Sequence, residues 1–314
     1  MPVRSVLVTG AGTPVGRRVV ALLRRDHVVA DRLPADADVV VHLSGTGTHE
    51  VLDATENMTV TGLVLLSSAT VYGAWADNPV PITEDAPIRP NPGVRAAAEL
   101  AEAERLVAVW AEQHPGVPVT VLRPATVIAP GADGWLTDAL TGQYTVRPAR
   151  PEPDRQFVHV DDLASAIALA VREGLDGVFN VAPSGAVSAD VVRELGAWRL
   201  TVPMPRPLAT MVSRWAWASR LSRVPPGALP LVEHPWVVAS DRIQAAGWAP
   251  RYTSEESVVA GRAPSWWREM GPGRRQTAAL VATAVLASSV VAAIAAVVVR
   301  ARRRVSPGGA RSRR

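Results

Sequence analysis

Three glycines near the start of the chain carry the clearest chemical signal. The stretch "VLVTGAGTPVGRRVVALL" sets Gly10, Gly12 and Gly16 between an apolar run and a helix-forming run. A glycine at the first position permits a tight turn, and one at the second lets backbone approach a pyrophosphate. The third lets the helix pack closely, so that first-turn N–H groups, from Thr13 and Val15 onward, aim at phosphate oxygens. Asp31 closes the next apolar run, "HVVAD", where a carboxylate can accept both hydroxyls of an adenosine ribose and repel a 2′-phosphate. Arg32 beside it could pair with that phosphate, so the spacing points to NAD and leaves NADP open. A further chemical group is Ser68 in "SSATVYG". A lone hydroxyl can orient a carbonyl but cannot move a proton efficiently at neutral pH. It can equally well satisfy neighbouring backbone.

The elements that must position these groups read as alternating strands and helices. Apolar runs such as "SVLVTG", "DVVVHLSG", "GLVLLSS" and "VTVLRPA" are separated by helical stretches such as "VGRRVVALLRR" and "EVLDATENM". That alternation predicts an α/β fold, a Rossmann-like doubly wound parallel sheet covered by helices on both faces. Residues 1–182 are expected to form the dinucleotide-binding domain. From Pro183 onward the pattern turns to helix and loop rich in Pro and Trp, predicting a smaller substrate or cap domain over 183–265. Within it "RPLATMVSRWAWASRLSR" puts Leu208, Met211, Val212, Trp215 and Ala218 on one helical face, expected to pack into the core. Trp217, Arg214 and Arg220 fall on another face, where contact with a membrane surface is the alternative.

Composition excludes several kinds of chemistry. Cysteine is absent, which removes disulfides, thiolate nucleophiles and Cys-based metal sites. The 6 His are scattered, so no metal site is expected. All 33 basic residues are Arg, so no lysine Schiff base or lysine general acid exists. Residues 277–314 hold seven of those Arg and no acid, while residues 1–276 hold 26 Arg against 29 acids. A nucleic-acid-binding protein would carry its basic patch on the folded body, so no nucleic-acid partner is expected.

The positive end follows an apolar segment, Thr277–Val299, of 23 residues without a charge. As a helix it would reach roughly 35 Å, enough to cross a bilayer's hydrocarbon core. Trp266, Trp267, Arg274 and Arg275 precede it and "RARRR" follows, the residue types of the headgroup zone. The expected organisation is a linker at 266–276, a transmembrane helix at 277–299 and a basic tail at 300–314. No signal peptide opens the chain, so the body is expected in the cytoplasm, anchored to the cell membrane. Membrane lipid and membrane-associated enzymes are the partners this implies. A buried Ala/Val helix, or one lying in the membrane surface, is the alternative.

From about Val3 to Ala260 the chain resembles the extended short-chain dehydrogenase/reductases, the NAD-dependent epimerase/dehydratase family. "DVVVHLSG" resembles the strand whose end, Leu43 and Ser44, lines the dinucleotide. "GLVLLSSATVYG" resembles the strand and turn bearing the catalytic Ser or Thr, which places Ser68 in that role. "RQFVHVDDLASAIALAV", "GVFNVAPSGAVS" and "WVVASDRIQAAGWAPRYTSEESV" resemble the later core segments and the closing Gly-Trp-x-Pro turn. The departures bear on function. Thr13 stands where the family has its middle glycine, and only "RLPADA" separates Asp31 from the next core strand, so the adenine side should be open and affinity reduced. The family's proton-transfer pair, a Tyr with a Lys four residues later, would fall within "RPNPGVRAAAELAEAERL" (Arg89–Leu106), which contains neither. Tyr72 belongs to the family's own turn and does not replace the missing one. Glu99 and Glu102 read as a solvated helix face.

The expectation is a membrane-anchored family member that binds a dinucleotide without the usual Tyr/Lys catalysis, a scaffold or sensor. The alternative is an active oxidoreductase or epimerase on a nucleotide- or lipid-linked sugar, using Ser68 and an atypical acid or base.

Overall fold

In the central strands of the sheet, neighbouring side chains point to opposite faces and both faces are buried. The computed structural model describes residues 3–32, 36–129, 134–141, 146–148, 152–195 and 202–260. The expected linker, apolar segment and basic tail lie outside the described residues, as does Tyr144. The elements begin with β1 (Ser5–Thr9), α1 (Pro14–Leu23), β2 (Val28–Ala30), β3 (Val39–His42), α2 (Thr48–Thr55) and β4 (Gly62–Leu66). Next come α3 (Arg95–Gln113), β5 (Val119–Pro124), β6 (Thr126–Ile128), α4 (Trp135–Leu140), β7 (Val146–Pro148), β8 (Phe157–His159) and α5 (Val160–Glu173). The last are β9 (Gly177–Val181), α6 (Ala189–Leu195), β10 (Val202–Met204), α7 (Arg206–Ala218), α8 (Leu229–Glu233), α9 (Asp241–Ala245) and α10 (Ser254–Ala260).

Six strands form an all-parallel sheet in the order β2-β1-β3-β4-β5-β9. Val6, Val8, Val39, Val41 and Val64 join a core with α1 and α5, while Leu7, Val40, Leu63 and Leu65 join another with α2 and α3. Burial on both faces is why these strands read as continuous apolar runs rather than alternating ones. β2 lies at the sheet edge. Strand order reverses at β1, whose neighbours are β2 and β3, and ligands of open α/β sheets bind outside the strand ends at such a point.

A further core gathers Tyr72, Ile82, Ala97, Phe157, Val187, Val224, Leu231, Trp236 and Val258 beside the sheet. Stretches from Ala69 to Val258 thus build it jointly. The closing Gly-Trp-x-Pro turn is tied to α5. Trp248 Nε1 donates to the Asp162 carbonyl at 3.1 Å, and the buried Asp162 carboxylate accepts from the N–H groups of Arg251 and Tyr252, each at 3.0 Å.

α7 departs from the sequence expectation. Its inward face is Ala209 and Ser213, whereas Leu208, Met211 and Trp215, expected in the core, are exposed. Helical periodicity locates a stripe but not the side from which the body approaches it, and small residues here allow the closer approach.

α3 is held by a buried ion pair. Glu104 and the β5 residue Arg123 are both buried, with Arg123 Nη2 2.6 Å from Glu104 Oε2 and Nε 3.1 Å from both carboxylate oxygens. Ser67 Oγ also donates to Glu104. Arg123 Nη1 donates to Tyr72 Oη at 2.8 Å, and Tyr72 Oη donates to Asn180 Oδ1 at 2.8 Å. Burial opposes the Arg123 charge, but the hydrogen bonds and charge of Glu104 more than offset it, so the guanidinium pKa is raised. Glu104→Ala should cost about 3–5 kcal/mol, since it strands a buried guanidinium. Glu102→Ala, on the exposed face beside Arg105, should leave the urea midpoint unchanged. Equilibrium urea unfolding of both variants checks the contrast.

Candidate functional site

The three glycines of the turn serve three different geometric needs. Gly10 has φ +79°, and a Cβ there would lie 3.3 Å from Leu43 Cβ. It lets the exit of β1 cross close to the exit of β3. A Cβ on Gly16 would run into the Gly10 carbonyl and come within 2.7 Å of Ala11 Cα, so the first turn of α1 rests on the glycine turn itself. A Cβ on Gly12 would meet nothing within 4 Å. Gly12 faces a cavity of about 520 Å³ lined by Ala11, Gly12, Arg17, Val20, Ala21, Arg24, Asp31 and Arg32.

Thr13 caps α1. Its hydroxyl donates to the Gly10 carbonyl at 3.0 Å and accepts from the Gly16 N–H at 2.9 Å. Pro14 has no N–H and the Arg17 N–H bonds to the Thr13 carbonyl, leaving Val15 as the first-turn donor for an anion. The Arg17 side chain compensates in part. Its guanidinium donates to the Gly12 carbonyl at 2.7 Å, placing a cation over the turn. An open Gly12 face, a free Val15 N–H and a guanidinium fit the phosphates of a dinucleotide, with fewer amide donors than an uncapped turn would present.

Asp31 and Arg32 are exposed on the opposite wall. Arg24 Nη2 lies 3.7 Å from Asp31 Oδ2. Arg17 and Arg24 were not singled out from sequence. The usable signal was their i, i+7 spacing, which puts them on one face of α1 with Val20 and Ala21.

At the exit of β3, Leu43 is buried against Gly10, and Ser44 Oγ lies 2.9 Å from Thr46 Oγ1. Neither lines the cavity. A Cβ on Gly45 would come within 3.0 Å of Leu100 Cδ2, so α3 packs directly onto this loop through an apolar side chain. His42, missed in the sequence, bolts the strand ends together. Its Nδ1 lies 2.6 Å from Thr9 Oγ1 and its Nε2 3.2 Å from Thr48 Oγ1. Burial lowers the His42 pKa to about 4, with the Glu50 charge acting the other way.

Ser68 follows β4 and caps the 3-10 turn Ala69–Tyr72. Its Oγ accepts from the Thr70 N–H at 3.2 Å and from Thr70 Oγ1 at 3.0 Å, which leaves its own proton to donate. Ser68 is half-buried and does not line the cavity. Tyr72 is buried, and burial pushes its phenol above the usual value, with the Arg123 charge partly offsetting this. Glu99 and Glu102 pair with Arg95 and Arg105 on the outer side of α3. Among the described residues no group of three or more His, Asp or Glu could hold a metal ion.

Residues 34–182 match the model of the NAD dependent epimerase/dehydratase family. Over that stretch the chain is similar to this family. It is 29% identical over 144 residues to an uncharacterized protein of Mycobacterium tuberculosis, covering 46% of this chain and 38% of that protein. An uncharacterized protein of Sinorhizobium fredii is 28% identical over 249 residues, 72% of this chain and 59% of the relative. The chain therefore spans less than two thirds of the length of these relatives. The fold is similar to UDP-glucose 4-epimerase of Thermus thermophilus in complex with NAD, with a TM-score of 0.60 at 22% identity over 81% of this chain and 96% of that one. It is also similar to RMD from Pseudomonas aeruginosa complexed with NADPH, with a TM-score of 0.62 at 21% identity over 82% and 97%. The family match begins just after Arg32, so the glycine turn rests on its own geometry.

Two outcomes separate structural from ligand-facing residues here. Gly16→Ala should lose about 1–3 kcal/mol through overpacking, and Gly12→Ala should stay within about 0.5 kcal/mol of wild type, by thermal unfolding. His42 is buried neutral, so the unfolded chain binds its proton more readily. Stability is then fully present above pH 6.5 and falls as pH drops toward 4, by on the order of 3 kcal/mol. In His42→Gln the acid limb of the stability profile should be shallower over that window.

Proposed function

We propose that this chain is a membrane-anchored member of the NAD dependent epimerase/dehydratase family that binds NAD without the family's Tyr/Lys proton transfer, acting as a scaffold or sensor. The observation that carries the reading is the packing of α3 onto the β3 exit. Leu100 meets Gly45 there, α3 has neither Tyr nor Lys, and the chain has no Lys at all. Gly12, the Val15 N–H and Arg17 would hold the phosphates, and Asp31 the adenosine ribose. NAD, when bound, supplies hydride transfer. A proton transfer partner of suitable pKa and reach would still be needed. Tyr72 does not serve, because its O–H is committed to Asn180 and its pKa is raised. His42 does not serve, because its ring is buried between Thr9 and Thr48.

The free proton of Ser68 favours the second reading, an active oxidoreductase or epimerase on a nucleotide- or lipid-linked sugar. Exchange of a deuterated nicotinamide hydride with sugar nucleotides separates the two. No exchange is expected from wild type; exchange that collapses about 10²-fold or more in Ser68→Ala would overturn the scaffold reading.

The anchor rests on the charge-free stretch Thr277–Val299 and the seven Arg beyond it. Among the described residues no helix is long and apolar enough to cross a membrane. The reading puts the folded body in the cytoplasm, with lipid and membrane-associated enzymes as partners. The full chain should stay with membranes through a high-salt wash. Release by salt alone would mean attachment through Arg residues at the surface.

A further inference from the structure

α7 presents to solvent the side chains that a soluble helix would bury. Leu208, Met211 and Trp215 are 48%, 60% and 62% exposed, and Leu221, just past the helix, is 70% exposed. They fall at i, i+3 and i+7 and then beyond the helix end, forming one apolar strip. An apolar strip of this kind marks an interaction surface. Trp217, 46% exposed, lies on another face of α7, while the exposed Arg214 lies on the adjoining face and the exposed Arg220 just past the helix end. Neither Arg has an acidic partner among the described residues. Residues 196–232 contain no Asp or Glu, so this stretch of the chain carries a single sign of charge. Arg220 closes the helix at φ 57°, a left-handed conformation in which glycine is usual. The chain accepts backbone strain to set a guanidinium and then Leu221 at that corner.

We propose that this face of α7 docks on an anionic lipid bilayer, with Leu208, Met211, Trp215 and Leu221 at the acyl boundary and Arg214 and Arg220 among the headgroups. An apolar strip that carries a Trp, with two exposed Arg beside it and no acid in residues 196–232, matches the layered chemistry of a membrane surface. A protein groove would call for no such uniform positive border. The inference deepens the anchoring reading and rests on it, since the segment Thr277–Val299 would make a bilayer the surface at hand.

The chain has no cysteine, so one introduced cysteine labels a single place. Full-length Met211→Cys and Val28→Cys, each carrying an environment-sensitive fluorophore, are reconstituted into phosphatidylcholine vesicles with or without phosphatidylserine and with a quencher on the acyl chains. Val28 is exposed on β2, away from α7, and serves as the reference. Strong acyl-chain quenching is expected at position 211 in phosphatidylserine vesicles. It should be lost without phosphatidylserine and in the Arg214→Glu, Arg220→Glu background, with position 28 unquenched throughout. Quenching at 211 no greater than at 28 overturns the proposal. So does a label at 211 that is shielded from aqueous iodide yet unquenched by lipid, since protein would then cover the face. Flotation in high salt reports the anchor separately. A chain that floats with 211 unquenched keeps the anchor and loses the docking face. A chain released by salt but quenched at low salt keeps the docking face and loses the spanning helix.

Discussion

The Arg123–Glu104 pair ties α3 to the exits of β4, β5 and β9 at the carboxyl end of the sheet. Removing two charges from water costs several kcal/mol for each ion, and the pair holds only where further hydrogen bonds occupy the remaining lone pairs and protons. Ser67 from the exit of β4 and Tyr72 from the turn after it meet that demand. Asn180 from β9 extends it by accepting from Tyr72 and donating to the Ile82 carbonyl at 3.2 Å. Five separate stretches are thereby fixed to one another. One consequence is the place of α3: with Glu104 pinned, the residue one turn earlier, Leu100, must lie on Gly45. The same lock that stabilises the fold puts a hydrocarbon side chain at the β3 exit, on the helix where relatives are expected to carry their proton-transfer pair.

On the other side of the strand reversal the backbone remains suited to a ligand. Gly10 and Gly16 are required by packing, because both would place a Cβ against neighbouring atoms. Gly12 is not, and its open face is the part of the turn that packing leaves unexplained. Thr13 trades a donor for a cap: it orders α1 by taking the Gly16 N–H, which an anion could otherwise have used. Arg17 returns a positive group to the same place. The turn leaves an approach open to phosphate, while α3 carries neither Tyr nor Lys.

The sheet, the glycine turn and the start of α3 were legible in sequence because each has a local signature: continuous apolar runs, spaced glycines, helical periodicity. Glu104 was not, since it looks like one more acid on a charged helix and its partner lies on a different element. His42 was hidden for the same reason: nothing local distinguishes a His held by two threonines from a solvated one. Arg17 and Arg24 gained meaning only when β2 was seen to leave one face of α1 open to the cavity. α7 was read inside out. Its apolar stripe was correctly placed on the helix, but packing density favoured burial of Ala209 and Ser213, and that choice belongs to the tertiary structure.

The central claim is that the glycine turn still binds a dinucleotide, through the open face of Gly12. Calorimetric titration of the full-length protein with NAD, alongside Gly12→Ala, tests this most directly. The account predicts saturable binding at one site in wild type and clear weakening in Gly12→Ala, with the variant folded as well as the parent. No binding by the wild-type chain, or equal affinity in the two proteins, would contradict it.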